Sequence, residues 1–233
     1  MDRKINMKGK LKPFMQRKEI KIIEKQLFGL GKQNGKVDIL EWGSGGSTVY
    51  FSKFLKDNNI QYTWLSIEYN KKWYDKISEM VEKDLNTKVV LFDSGNNNLR
   101  QRNIDMNEYV DYPKTLNKQF DFILVDGRKR RRCLIEAQKL LSPKGVVFLH
   151  DAQRKYYHCV LKNYSDSVFI GPYLWRGRNK PILFFCRVFH ELIYLFWQPI
   201  IWVRFWMITI LRKVYYRFSF LQKIRKSYQN ENI

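Results

Sequence analysis

The stretch Ile39–Leu55, ILEWGSGGSTVYFSKFL, decides how this chain is read. Val37 to Leu40 reads as a short buried strand, and Thr48 to Leu55 reads as a helix. Between them stand Gly43, Gly45 and Gly46. So bare a turn serves a backbone that needs positive φ or that another group approaches closely. The amides opening the next helix point at whatever lies in front of them, a phosphate or a carboxylate. A Walker loop needs Gly-Lys-Ser/Thr, and no lysine is present. A dinucleotide fingerprint needs a third glycine where Thr48 stands. Glu41, just before the turn, would repel a pyrophosphate and suits an ammonium group or hydroxyls. By itself the loop is either a small-molecule site or a structural turn.

Working outward, strands alternate with helices. Pro13 to Leu30 carries apolar residues at helical spacing, after a loose basic arm over residues 1–12. Tyr62–Ile67 reads as a second strand and Tyr69–Lys83 as a helix. Lys88–Phe92 reads as a third strand, Phe120–Val125 as a fourth, Arg131–Leu141 as a helix and Gly145–Leu149 as a fifth strand. A helix is expected over Ala152–Leu161. Ser167–Ile170 and Pro181–Cys186 would close the sheet, joined by YLWRGRN. This alternation predicts an α/β, Rossmann-like, doubly wound and mostly parallel seven-stranded sheet. Ligands in such sheets sit beyond the carboxyl ends of the strands, and the chemically interesting residues fall there. Glu68 ends the second strand, near the distance at which dinucleotide folds place a ribose-binding acid. As a bidentate acceptor it would take both ribose hydroxyls; otherwise it is an exposed strand end.

With EWGSGGST followed by Glu68, the chain resembles the class I S-adenosylmethionine-dependent methyltransferases over roughly residues 37–186. The resemblance implies that S-adenosylmethionine is the cofactor. Gly43, Ser44 and Gly45 would approach its methionine part, Glu41 its amino group, Glu68 its ribose and Asp93 its adenine.

Asp126 ends the fourth strand in VDGRKRRRC, and His150 and Asp151 end the fifth in FLHDAQRKYYH. Three readings stay open for this catalytic group. Asp126 and Asp151 would ligate Mg²⁺ or Mn²⁺ and so acidify an acceptor hydroxyl. Alternatively Asp126 or His150 is a general base without metal, or Asp151 caps a helix while His150 packs on Tyr156 or Tyr157. The run Arg128 to Arg132 is either a solvated helix face or a neutraliser of acceptor charge. The pattern VDGR-x-R…HD-x-x-R is similar to a branch that includes sugar methyltransferases, among them plant enzymes methylating glucuronate in xylan. That likeness implies Arg128, Arg130 and Arg154 on the acceptor side. The polar segment Ser94–Gln119 would form a lid or acceptor wall.

The balance of 43 Lys+Arg against 22 Asp+Glu, +21 net, points to an anionic partner. The three cysteines, Cys133, Cys159 and Cys186, form no disulfide framework. The basic N-terminus lacks the apolar core of a secretory signal. Leu192–Leu211 is apolar apart from Gln198, Pro199, Arg204 and Thr209, and basic residues follow it. An interfacial or hairpin anchor on an anionic leaflet fits this helical tail better than a spanning helix or one packed on the domain or a dimer partner. The expected organisation is an arm and helix over 1–36, a cofactor-binding domain over 37–186 and a membrane-associating tail over 187–233. The expected activity is O-methylation of a sugar, glycolipid or other acidic acceptor at the cytoplasmic face of a membrane. RNA methylation, with nucleic acid the less favoured partner, and a membrane-associated non-catalytic protein of the same fold are the alternatives.

Overall fold

A computed structural model describes residues 11–93, 105–179, 203, 206 and 207. The chain divides into two compact units, Met1–Ile182 and Leu183–Ile233. The first unit holds a seven-stranded sheet formed by β1 (Lys36–Trp42), β2 (Gln61–Glu68), β3 (Thr87–Leu91), β4 (Phe120–Val125), β5 (Leu141–His150), β6 (Asp166–Phe169) and β7 (Leu174–Arg178). Its strand order is β3-β2-β1-β4-β5-β7-β6. β1 to β5 pair in parallel, and β7 runs antiparallel to both β5 and β6. The expected doubly wound fold is present.

Side-chain parity explains the two cores. Val37 and Ile39 of β1, Phe122 and Leu124 of β4, and Val146 and Phe148 of β5 face one side. There they pack on Ile23, Leu27 and Leu30 of α1 (Arg17–Asn34) and on Phe51 and Leu55 of α2 (Gly46–Asp57). Leu40, Trp42, Ile123, Val125, Val147 and Leu149 face the other. α3 (Lys71–Val81) connects β2 to β3. On the second face lie α4 (Asn107–Asp111) and α5 (Arg130–Leu140), through Tyr109, Val110, Cys133, Leu134 and Ala137.

Two local expectations differ. The second closing strand is Leu174–Arg178, within the YLWRGRN expected as its connection. Buried Leu174 and Trp175 hold it to β5, while Arg176 is neutralised by Asp166 across the hairpin at 3.1 Å. Cross-strand pairing thus accommodates arginines that make the segment look like a loop. Pro181–Cys186 lies outside the described residues. The helix expected over Ala152–Leu161 shrinks to a 3₁₀ turn at Lys155–Tyr157 and the single turn α6 (His158–Leu161).

Of the second unit, residues 203, 206 and 207 are described, in helical conformation. The rest of the apolar tail lies outside the described residues. Among those described, no helix is long and apolar enough to cross a membrane.

Candidate active site

The sheet reverses its winding between β1 and β4, and their carboxyl ends frame a cleft of about 1530 Å³. Open α/β sheets bind ligands at such a switch point. Gly43 leaves β1 with φ +99°, and its N–H donates to Ile67 O at 2.8 Å. A Cβ there would lie 2.5 Å from Gly127 Cα, so the turns after β1 and β4 touch backbone to backbone. Gly46 opens α2 beneath Lys12 O, which a Cβ would meet at 2.2 Å, so the segment before α1 crosses the loop at that point.

One half of the cleft is lined by Gly43, Ser44, Gly45, Glu68, Asn70 and Trp73. Glu68 is 2% exposed. Its Oε2 accepts from the Ser44 hydroxyl at 3.0 Å, and its Oε1 from the amides of Tyr69 and Asn70 at 3.0 and 2.9 Å. Burial raises its carboxyl pKa, against the lowering pull of those hydrogen bonds. Each oxygen keeps acceptor capacity toward the cleft. Trp73 Nε1 donates to Ser44 O at 2.5 Å, tying α3 to the loop.

Glu41 is placed elsewhere. Parity puts it with Val37 and Ile39, beneath α2, and it does not line the cleft. It is 0% exposed. Oε2 accepts from Thr48 at 2.6 Å, Ser66 at 2.9 Å and Trp64 Nε1 at 3.0 Å, and Oε1 accepts from Ser47. It pins the start of α2 to β2 instead of meeting a ligand's amino group. Burial pushes its pKa up to about 7 despite four donors. Asp93 is exposed beyond β3 and is not among the described residues lining the cleft.

The other half of the cleft is cationic. Asp126 lines it with Arg128, Arg130, Arg131, Arg132 and Arg154. Arg130 behaves differently from its neighbours, because its side chain is only 10% exposed. Its Nε donates to Gly127 O at 2.9 Å, Nη2 to Asp126 O at 2.6 Å and Nη1 to His150 O. The same guanidinium contacts Asp126 Oδ1 at 2.9 Å and Asp151 Oδ2 at 3.6 Å. It therefore staples the end of β4 to the end of β5 and is not available to an acceptor. Asp151 turns the chain with φ +57° and pairs with Arg154 at 2.8 Å.

A cation between Asp126 and Asp151 would meet the Arg130 charge already there, so this donor set does not fit Mg²⁺ or Mn²⁺. Among the described residues no group of three acidic, His or Cys side chains gathers in metal-binding geometry. His150 also stands apart from the cleft lining. Parity sets it on the face of Val146 and Phe148, toward α1. Nδ1 meets Asp126 Oδ1 at 3.0 Å and Nε2 lies 4.0 Å from Glu19 Oε2. Burial opposes its protonation, but the hydrogen bond it makes to the Asp126 carboxylate and the fields of Asp126, Asp151 and Glu19 prevail and raise its pKa. His150 orients Asp126 and faces α1, which does not suit a base on an acceptor. Asp126 is the member of the expected triad that reaches the cleft.

Sequence reasoning missed Trp73 and Asn70 as lining residues, because the helix start beyond β2 carries no motif, and it met Arg131 only as part of the run Arg128 to Arg132. It expected Tyr109 in a lid. Tyr109 is 1% exposed, its carbonyl accepts from Trp42 Nε1 at 3.1 Å, and its hydroxyl accepts from Arg128 N at 3.3 Å. It packs against Gly127 in the turn after β4 and is not among the residues lining the cleft.

A family model described as a methyltransferase domain matches residues 40–152, from β1 through the Asp151 turn. Residues 40–152 thus carry a methyltransferase domain, and the match and the fold support a class I S-adenosylmethionine-dependent methyltransferase. Among solved structures, a methyltransferase-like protein from Silicibacter pomeroyi matches with TM-score 0.55 and 20% identity, over 77% of this chain and 94% of that one. The CMeT domain of citrinin polyketide synthase matches with TM-score 0.50 and 14% identity, over 70% of this chain and 52% of that one. At these identities the likeness is one of fold. No curated protein matches the sequence. In this methyltransferase the glycine-rich turn and Glu68 fall in the half of the cleft nearest β1 and β2, and the arginines fall beyond β4.

Proposed function

We propose that the enzyme transfers the methyl group of S-adenosylmethionine to a hydroxyl oxygen of an acidic acceptor, a sugar or glycolipid. One observation carries this reading. The cleft joins a glycine- and carboxylate-lined half to a half lined by five arginines, with Asp126 between them. Glu68 would accept the ribose hydroxyls, and the backbone of Gly43, Ser44 and Gly45 would border the methionine part. S-adenosylmethionine supplies the electrophilic methyl group.

The chain's own residues mainly position the reactants, which alone lowers a barrier by several kcal/mol. Asp126 Oδ1 is held by His150 and Arg130, and Oδ2 has no partner among the described residues. Asp126 would accept a hydrogen bond from the acceptor hydroxyl and fix its lone pair toward the methyl carbon. The +21 charge and the apolar, basic residues 187–233 support an acceptor or surface that is anionic, such as a cytoplasmic membrane leaflet.

The test is calorimetric titration of S-adenosylmethionine and its demethylated product into the full chain, beside Glu68→Ala. Two charge-assisted hydrogen bonds are worth about 3 kcal/mol or more together, so affinity should fall roughly hundredfold or more. Equal affinity in the variant would remove Glu68 from the site, and no binding to folded protein would sink the reading.

A further inference from the structure

The geometry points to a subsite for a phosphate group on the acceptor, held by Arg128 and Arg131 at the outer wall of the cleft. This rests on the methyltransferase reading above and deepens it by naming the acceptor's charged group.

The argument is one of charge accounting. Of the arginines lining the cleft, Arg130 is consumed by three carbonyls and two carboxylates. Arg154 is neutralised by Asp151 at 2.8 Å, and Arg132 stands 3.8 Å from Asp111. Arg128 uses Nε on the Tyr69 hydroxyl at 3.1 Å, with its guanidinium 5.5 Å from that ring's centroid. No carboxylate pairs with it among the described residues. Arg131 is exposed to the cleft and has neither ion-pair nor hydrogen-bond partner among the described residues. Two uncompensated guanidinium groups therefore face one cavity.

Helix stability does not explain them. The first turn of α5 carries Arg130, Arg131 and Arg132 and no acid, opposite to what the macrodipole favours. Cations there are tolerated most readily where an anion arrives. Two guanidinium charges lining one cavity match a dianion, and planar forks suit phosphate oxygens bidentately. The cleft is large enough to hold such a group beside the cofactor half. Tyr156, 55% exposed and lining the same cavity, offers an aromatic face for the body of the acceptor.

The experiment titrates inorganic phosphate, α-glucose 1-phosphate and malonate into the full chain by calorimetry, in wild type, Arg131→Ala and Arg131→Glu. Phosphatidylcholine vesicles with and without phosphatidic acid are tested in parallel by co-sedimentation. Titration of the demethylated cofactor product in each protein reports whether the cofactor half is intact. The expected result is phosphate binding preferred over malonate and weakened about tenfold or more by Arg131→Ala, with cofactor-product affinity unchanged. Given phosphate binding, Arg131-dependent binding of the sugar phosphate assigns the group to a soluble acceptor, and Arg131-dependent binding of phosphatidic acid vesicles without the sugar phosphate assigns it to a lipid. Phosphate binding that is absent, equal in Arg131→Glu, or no stronger than malonate overturns the subsite while leaving the cofactor reading standing. Loss of cofactor-product binding in wild type would instead overturn the methyltransferase reading.

Discussion

Glu41 makes this fold sensitive to pH in a calculable way. The carboxyl is fully buried with four donors and no cation beside it, and its pKa rises from 4.5 to about 7. Between these values the folded protein binds a proton that the unfolded chain has released. Stability therefore falls as pH rises through that window. The stabilisation is complete below the unfolded value and is lost as pH passes through the folded one. A shift of this size corresponds to about 3 kcal/mol at 1.36 kcal/mol per unit.

The assay is urea unfolding of wild type and Glu41→Gln at several values from pH 5 to pH 8. Glutamine keeps the shape, and its amide can still meet hydroxyl oxygens of Ser47, Thr48 and Ser66, so the variant should fold. His150, with its raised pKa, also loses its stabilising contribution as pH rises, in both proteins. The difference between the two curves thus isolates Glu41. Wild type should lose about 2–3 kcal/mol relative to the variant across the window. Parallel curves would refute the account, and would mean that the ionised carboxylate is as well solvated by its four donors as by water.

Gly43→Ala should cost at least about 2 kcal/mol and abolish cofactor binding, since its φ is +99° and a Cβ would strike Gly127 Cα. Gly45→Ala should cost under about 1 kcal/mol, because its φ is 178° and the nearest atom to a Cβ is Trp73 Nε1 at 3.6 Å. Urea melts of both settle the contrast, and equal losses would contradict it. Arg130→Met leaves Asp126 and Asp151 without their shared cation and should destabilise by about 3–5 kcal/mol in the same assay. EDTA should leave methyl transfer unchanged in wild type; lost turnover that Mg²⁺ restores would show that the acidic pair takes a metal despite Arg130.

The fold was legible because both faces of the sheet are buried. Runs such as Phe120–Val125 and Gly145–Leu149 read as central parallel strands, and the glycine turn marks the switch point. Leu174–Arg178 was not legible, since its arginines read as loop and the Asp166 that answers Arg176 lies across the hairpin on another strand. At the site, the placement of Glu68 and the loop in the cleft was readable because it follows from position at strand ends. Glu41 was misplaced because its residue type was weighed while its parity was not. Val37, Ile39 and Glu41 alternate on one face, and that face carries α2.

The same reasoning explains the acidic pair. A sequence shows that Asp126, His150 and Asp151 converge, but it cannot show which charge answers them. Arg130 stands four positions after Asp126, where the turn through left-handed Lys129 ends and α5 begins, and its guanidinium returns to both strand ends. A buried cation fixed by covalent attachment satisfies three backbone carbonyls that a hydrated metal would meet only through its waters. The strand ends are then set before any ligand arrives, and this preorganisation lets Asp126 present one carboxylate oxygen to the cleft. The arginines that follow are freed from structural duty by the one that is not. Five basic residues in a row therefore do different work, according to which side of the turn each one faces.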